Sequence, residues 1–213
     1  MPRESASRQQ HLRQLVAQQA ARMMAEEGIS DYAFAKRKAA RQLGMEDAHC
    51  LPGNAEIASE LRIYQGIYHG DEHSASLHQL RTDALDAMRL LERFDPHLTG
   101  AVLDGTAGRH AETEVHLFAD SDKEVEIFLL NNEIPYQTGE KSYQSGNERR
   151  KVPVFTLEGP SGPIRLSIFA PEDARRMPRN ASAGGTASRI RAEALALLLT
   201  NESMSASNAP VTD

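Results

Sequence analysis

The chain has no tryptophan, and aromatic residues make up only 5% of its 213 positions. Stacking platforms of the kind that single-stranded nucleic-acid binders use are therefore sparse. A single cysteine, Cys50, excludes an internal disulfide framework and any multi-cysteine zinc site. Placed between a helix end and Leu51-Pro52, it is expected to be a half-buried structural thiol. No apolar run approaches the ~18 residues of a membrane span, and Met1-Pro2-Arg3-Glu4-Ser5 carries no apolar signal core. The expectation is a soluble cytoplasmic protein with no membrane partner. A net charge of −6 argues against a general polyanion binder, while leaving room for local basic patches. Walker-type lysine motifs, G-x-G-x-x-G and the serine nucleophile elbow are all missing.

What is present changes character at Pro96. Before it, apolar residues recur at helical spacing. Leu12, Leu15, Val16, Met23 and Met24 mark a helix over 9–27, closed by Gly28. Ser30-Asp31 caps a second over 32–43, with Tyr32, Phe34, Ala35, Ala39 and Leu43 inward and Lys36, Arg37, Lys38 and Arg41 outward. Asn54 caps a third over 54–68. A polar break at 69–74 precedes a fourth over 77–94 carrying Leu80, Ala84, Leu85, Met88 and Leu91.

After Pro96, strands are expected at 99–103, 114–118, 152–157 and 164–169, with a helix at 122–131 between the second and third. Ile134-Pro135-Tyr136 reads as a short edge strand, and polar 138–150 as a loop between strands. The runs 152–157 and 164–169, joined across Gly159-Pro160-Ser161-Gly162, form a hairpin. Pro153 and Pro163 place that hairpin near a sheet edge or at strand starts. A last helix at 188–200 precedes a tail, 201–213, of disorder-like composition. The fold class is α+β: a helical segment over 1–95, a small mixed sheet with flanking helices over 96–200, then the tail.

The stretch Leu98 to Ala119 carries the functional argument. Its order is strand, Asp104-Gly105-Thr106, a connector holding Gly108, and a strand on which Glu114 and His116 alternate with Val115 and Leu117. Alternation by two sets Glu114 and His116 on one face. Two readings stand side by side: a ligand-holding pair, or an exposed strand face where Glu112, Glu114 and His116 simply meet solvent. Gly105 and Gly108 serve either a ligand or a turn needing positive φ.

This order resembles the core of the nucleotidyltransferase superfamily, over roughly 96–170. The chain also looks like bacterial proteins without an assigned activity that share the helical N-terminal segment and a G-T-A-x-x-H…L-H-L-F-A-D signature, which reads G-T-A-G-R-H and V-H-L-F-A-D here. In the superfamily a helical turn after a Gly-Ser or Gly-Thr pair holds the nucleoside triphosphate. An Asp-x-Asp strand binds two magnesium ions, and a neighbouring strand gives a third carboxylate. The resemblance implies that Asp104, Gly105 and Thr106 lie at the nucleotide. Glu114 and His116 would stand for the metal-binding aspartates, facing the turn across a concave surface, and Arg165 would lie on the third strand. A divalent metal is the implied cofactor, and a nucleotide, a nucleic acid or a second copy of the chain the implied partner.

Three departures mark the site as degenerate. The connector from Thr106 to Glu114 is short, histidine is a poor magnesium ligand, and 164–169 offers Arg165 and Ser167 where the third carboxylate belongs. The expected function is a nucleotidyltransferase-like protein that binds a nucleotide or nucleic acid with weak or absent transfer. The alternative, from another class, is a non-catalytic regulatory or interaction scaffold that docks through the Tyr32/Phe34 face. His69, His73 and His78 read as solvated loop residues: His73 and His78 are five apart, and His69 and His73, though four apart, span Gly70-Asp71, expected as loop. The basic run 36–38 with Arg41 is flanked by Glu26, Glu27, Glu46 and Asp47 and reads as a solvated face. Arg149-Arg150-Lys151 is the other basic spot.

Overall fold

The computed structural model describes residues 2–29, 31–45, 51–68, 70–108, 111–145, 148–176 and 189–207. Cys50, Ser30, His69 and the segments 177–188 and 208–213 lie outside that set, so the expectations placed on them are outside the described residues. The protein is α+β, with eight α-helices and one mixed five-stranded sheet among the described residues. None of these helices is long and apolar enough to cross a membrane. Two compact units divide near Ser74.

The first unit is helical: α1 (Pro2–Glu27), α2 (Tyr32–Gln42) and α3 (Asn54–Tyr68). Its core is built from small residues, with Ala17, Ala20, Ala21, Ala35, Ala39 and Ala40 buried beside Val16, Met23, Ile57 and Leu61. Asp31 caps α2 by accepting the Phe34 N–H at 2.9 Å. Gly28 and Gly44 follow α1 and α2 at φ +69 and +66, the left-handed conformation that glycine adopts without strain. Phe34 departs from expectation: it is 50% exposed, because the alanine stripe of α2 makes the buried face.

The second unit holds most of α4 (Gly70–Leu90), then β1 (His97–Thr99), α5 (Gly100–Asp104), β2 (Thr113–Phe118), α6 (Asp122–Asn131), β3 (Tyr136–Ser145), β4 (Glu148–Gly159), β5 (Gly162–Phe169), α7 (Asp173–Arg176) and α8 (Ala192–Ser207). The sheet order is β1-β2-β5-β4-β3, with β2 and β5 parallel and every other neighbour antiparallel. One face packs Leu98, Val115, Leu117, Leu166, Ile168, Phe155 and Leu157 into a core with Leu80, Ala84, Met88, Leu91, Val125, Leu129, Leu195 and Leu199.

Several boundaries move, each for a physical reason. Residues 99–103 are mostly helical, because Gly100 at φ +75 turns the chain out of β1 directly into α5. The polar stretch 138–150 contributes to β3 and β4. It shows no hydrophobic period because β3 lies at the sheet edge and the positions it turns inward hold Lys141 and Tyr143. Pro153 sits on an interior strand, yet β5 pairs with β4 only from Val154 onward, so at Pro153 the strand has one neighbour and loses no ladder bond on its open side. The fourth helix begins at Gly70, which places His73 and His78 on α4, where His78 lies 3.4 Å from Glu202. The last helix runs on to Ser207, through the first part of the expected tail.

Arg81 of α4 fixes the short helix. Its buried guanidinium donates to the carbonyls of Val102 and Leu103, both at 2.9 Å, and pairs with Glu202 of α8. Burial pulls the Arg81 pKa down, and Glu202 opposes that. On the same helix Asp83 accepts the Ser161 N–H at 2.9 Å and so holds the β4–β5 turn. Arg81→Met should strip two carbonyls of their donor and leave Glu202 without its cation. The expected loss is about 3 kcal/mol in urea unfolding, and a loss under ~1 kcal/mol would contradict the assignment.

Candidate functional site

The register places side chains on the sheet's second face without further assumption. His97 lies opposite His116, His116 opposite Ser167, Ser167 opposite Val154, and Lys141 opposite Val152. Alternation carries Glu114, Phe118, Arg165, Phe169 and Tyr143 to that face as well. It divides into a dry end and a charged end.

At the dry end His116 is 5% exposed and packs against Phe169 with ring centroids 4.7 Å apart. Phe118, Phe169 and Val152 form a small buried cluster with Tyr143 and Ala174. The Nε2 of His116 shares a hydrogen bond with the Tyr143 hydroxyl at 3.2 Å, and that hydroxyl shares another with Ser167 Oγ at 3.1 Å. Three strands are thereby tied by one polar chain. His116 Nδ1 is buried with no hydrogen-bond partner. Burial, and then the charges of Arg189, Lys141 and His97, lower the His116 pKa to about 3. The geometry agrees, because a second ring proton on Nδ1 would find no acceptor. His97 is also lowered by burial, although its contact with Asp95 opposes the shift.

At the charged end Lys141 Nζ lies 2.9 Å from Glu114 Oε1, and Arg165 Nη1 lies 2.5 Å from Glu112 Oε2. Burial would lower the Lys141 ammonium, but the charges of Glu114 and Tyr143 outweigh it and hold the group above its ordinary value. Arg150 pairs with Asp173 and Lys151 with Glu140, so these two members of the basic spot are neutralised within the fold.

The sequence-derived residues fall on two kinds of element, strands and a helix end. Glu114, His116 and Arg165 share the face as expected, but His116 is core where an open strand position was expected. Asp104, Gly105 and Thr106 end a helix: Asp104 closes α5, Gly105 is its left-handed cap at φ +75, and the Thr106 N–H donates to the Ala101 carbonyl at 2.9 Å. The carbonyl end of a helix carries negative partial charge, the wrong sign for phosphate. Gly100 lies beside Glu114, and an added Cβ there would come 3.5 Å from Glu114 side-chain carbons.

The donor set does not fit a divalent metal. Glu114 already holds an ammonium, His116 is engaged and buried, and the register neighbours on β5 are Arg165 and Ser167. Among the described residues no three of His, Cys, Asp and Glu gather as ligands. Lys141, Tyr143 and His97 escaped sequence reasoning. For the first two, the only signal was a tyrosine two residues after a lysine in a polar run. Comparison with family models, curated proteins and solved structures finds no match to this chain.

His116 makes stability depend on acid. Its folded pKa lies below the ordinary 6.5, so the unfolded chain takes up the proton first as pH falls. The stabilisation is complete above about pH 6.5 and is lost progressively toward pH 3, at about 1.4 kcal/mol per pH unit. His116→Phe should remove that part of the slope in urea unfolding between pH 7 and about pH 4.5. An unchanged slope would mean that His116 titrates normally.

Proposed function

We propose that this chain is a nucleotidyltransferase-like protein that has lost metal-dependent transfer and acts by binding. Element order supports the kinship: strand β1, the turn at Gly100, the helical turn α5, then β2 with Glu114 and His116 two apart, and β5 alongside. The single observation that carries the loss of transfer is Lys141 on Glu114. Two-metal phosphoryl transfer needs anionic oxygens free to hold cations a few ångströms apart. Here an ammonium from β3 neutralises the one carboxylate on the face of β2 that would serve, and Arg165 stands where a further carboxylate belongs. The cations of this face, Lys141 and Arg165, are already paired with Glu114 and Glu112, so a nucleotide would meet them by sharing or displacing those carboxylates, and its binding would not require a divalent cation.

The test pairs a transfer assay with a melting assay. Wild-type protein incubated with nucleoside triphosphates and magnesium or manganese should release no pyrophosphate above background. A nucleoside triphosphate should raise Tm by the same amount with magnesium, manganese, zinc or none present. Metal-dependent turnover abolished by Glu114→Gln would overturn the loss of transfer. A Tm unmoved by every nucleotide would overturn the nucleotide assignment and leave the sheet face as scaffold.

A further inference from the structure

Helix α8 has a face that neither the sheet nor the nucleotide reading uses. Its run from Ala194 to Asn201, A-L-A-L-L-L-T-N, holds four leucines and no charge. One side is accounted for, because Leu195 and Leu199 are buried in the core. Leu197 lies on the opposite side and is 67% exposed, as is Met204 two turns on, while Leu198 is half-buried between them and the core. A surface helix with one buried side carries polar residues on the other, whereas a helix apolar all round is covered on both sides. Ala194, Leu197, Asn201 and Met204 fall at i, i+3, i+7 and i+10, which is one stripe. Beside it, Leu77 and Ser74 of α4 complete a shallow groove with Ala194 and Leu198.

The surface thus holds both a projecting apolar side chain and a groove to receive one, and a patch with both is self-complementary under a two-fold axis. The stripe is also symmetric about the level of Leu199. Antiparallel pairing there sets Met204 over Ala194 of the second copy, large on small, and Leu197 against Asn201 in the groove. Charge allows the contact, although the chain carries −6 overall. Of the groove residues only Glu202 is charged, and it is held by Arg81 and lies beside His78. The two Glu193 residues fall at opposite ends of the pair, about 18 Å apart along the axis and beyond a Debye length. A charged polypeptide would find no counter-charge on this face, whereas a second copy meets no repulsion there. Pairing removes on the order of 1,000 Å² from water in total, the low end of specific interfaces and well below an obligate dimer. We infer that the α4–α8 groove is the interface of a weak, reversible two-fold dimer of this chain, with Leu197 of each copy seated in the groove of the other.

The test is sedimentation velocity of the full chain from about 1 to about 300 μM. The weight-average mass should climb from 23.5 kDa toward twice that value, with the midpoint at tens of micromolar. Leu197→Lys should weaken the dimer about ten-fold or more, because it sets an ammonium in an apolar groove. Ile127→Lys on α6, a matched change at another exposed apolar residue, should weaken it less than about two-fold. Circular dichroism of both variants checks that these surface changes leave the helices intact. A wild-type mass that stays at 23.5 kDa across the range would overturn the proposal. So would a dimer that survives Leu197→Lys, or one weakened equally by both changes. Dimerisation that appears only after residues 208–213 are deleted would overturn it too, by assigning the groove to the chain's own last residues.

Discussion

The hydroxyl of Tyr143 is the point on which the sheet's second face depends. It reaches from edge strand β3 to His116 on β2 and Ser167 on β5, two strands that β3 does not touch in the ladder. Without it a buried imidazole, a buried serine and the outer half of the β3–β4 hairpin would each need another partner. Polar groups removed from water cost free energy unless hydrogen-bonded, and the unmade bond costs more than the made one gains. The chain Ser167–Tyr143–His116 satisfies three groups with two contacts and leaves Nδ1 as the remaining demand. A neutral imidazole can leave that nitrogen as a bare acceptor, whereas a charged one cannot. Burial and hydrogen bonding therefore favour the same protonation state.

The charged end follows from the same hairpin. Because β3 curls Tyr143 onto His116, it also brings Lys141, two residues earlier, onto Glu114. An inward-pointing lysine on an edge strand is a familiar guard against unwanted strand pairing. Here it has the further effect of neutralising the carboxylate that a metal would need. Arg165 and Glu112 repeat the pattern one strand over. The face thus carries its own counter-ions. Such pairs contribute little stability near solvent, but they decide what the face can hold.

Where side-chain period reflects burial, the sequence is a good guide. The α+β class, α2, α3, α6, β2 and the β4–β5 hairpin all lie close to where periodicity puts them, since each buries one face against a core. Glu114, His116 and Arg165 on one face follow from alternation alone. The misplacements have local causes. Residues 99–103 look like a strand because Ala101, Val102 and Leu103 are apolar, yet Gly100 adopts a left-handed turn and Arg81, distant in sequence, caps the helix that results. Edge strand β3 hides because the residues it turns inward, Lys141 and Tyr143, carry no hydrophobic period. The burial of His116 depends on Tyr143, a partner 27 residues away that alternation on one strand cannot reveal.

The most direct test of the account is nuclear magnetic resonance of the imidazole nitrogens of His116, followed across pH and on addition of zinc or magnesium. The account predicts a single neutral tautomer from about pH 8 down to about pH 5, unmoved by either metal, with Tyr143→Phe disturbing it. A ring that titrates near the ordinary value of 6.5, or one whose nitrogens shift when zinc is added, would contradict the claim that the His116 end of this face is closed polar core.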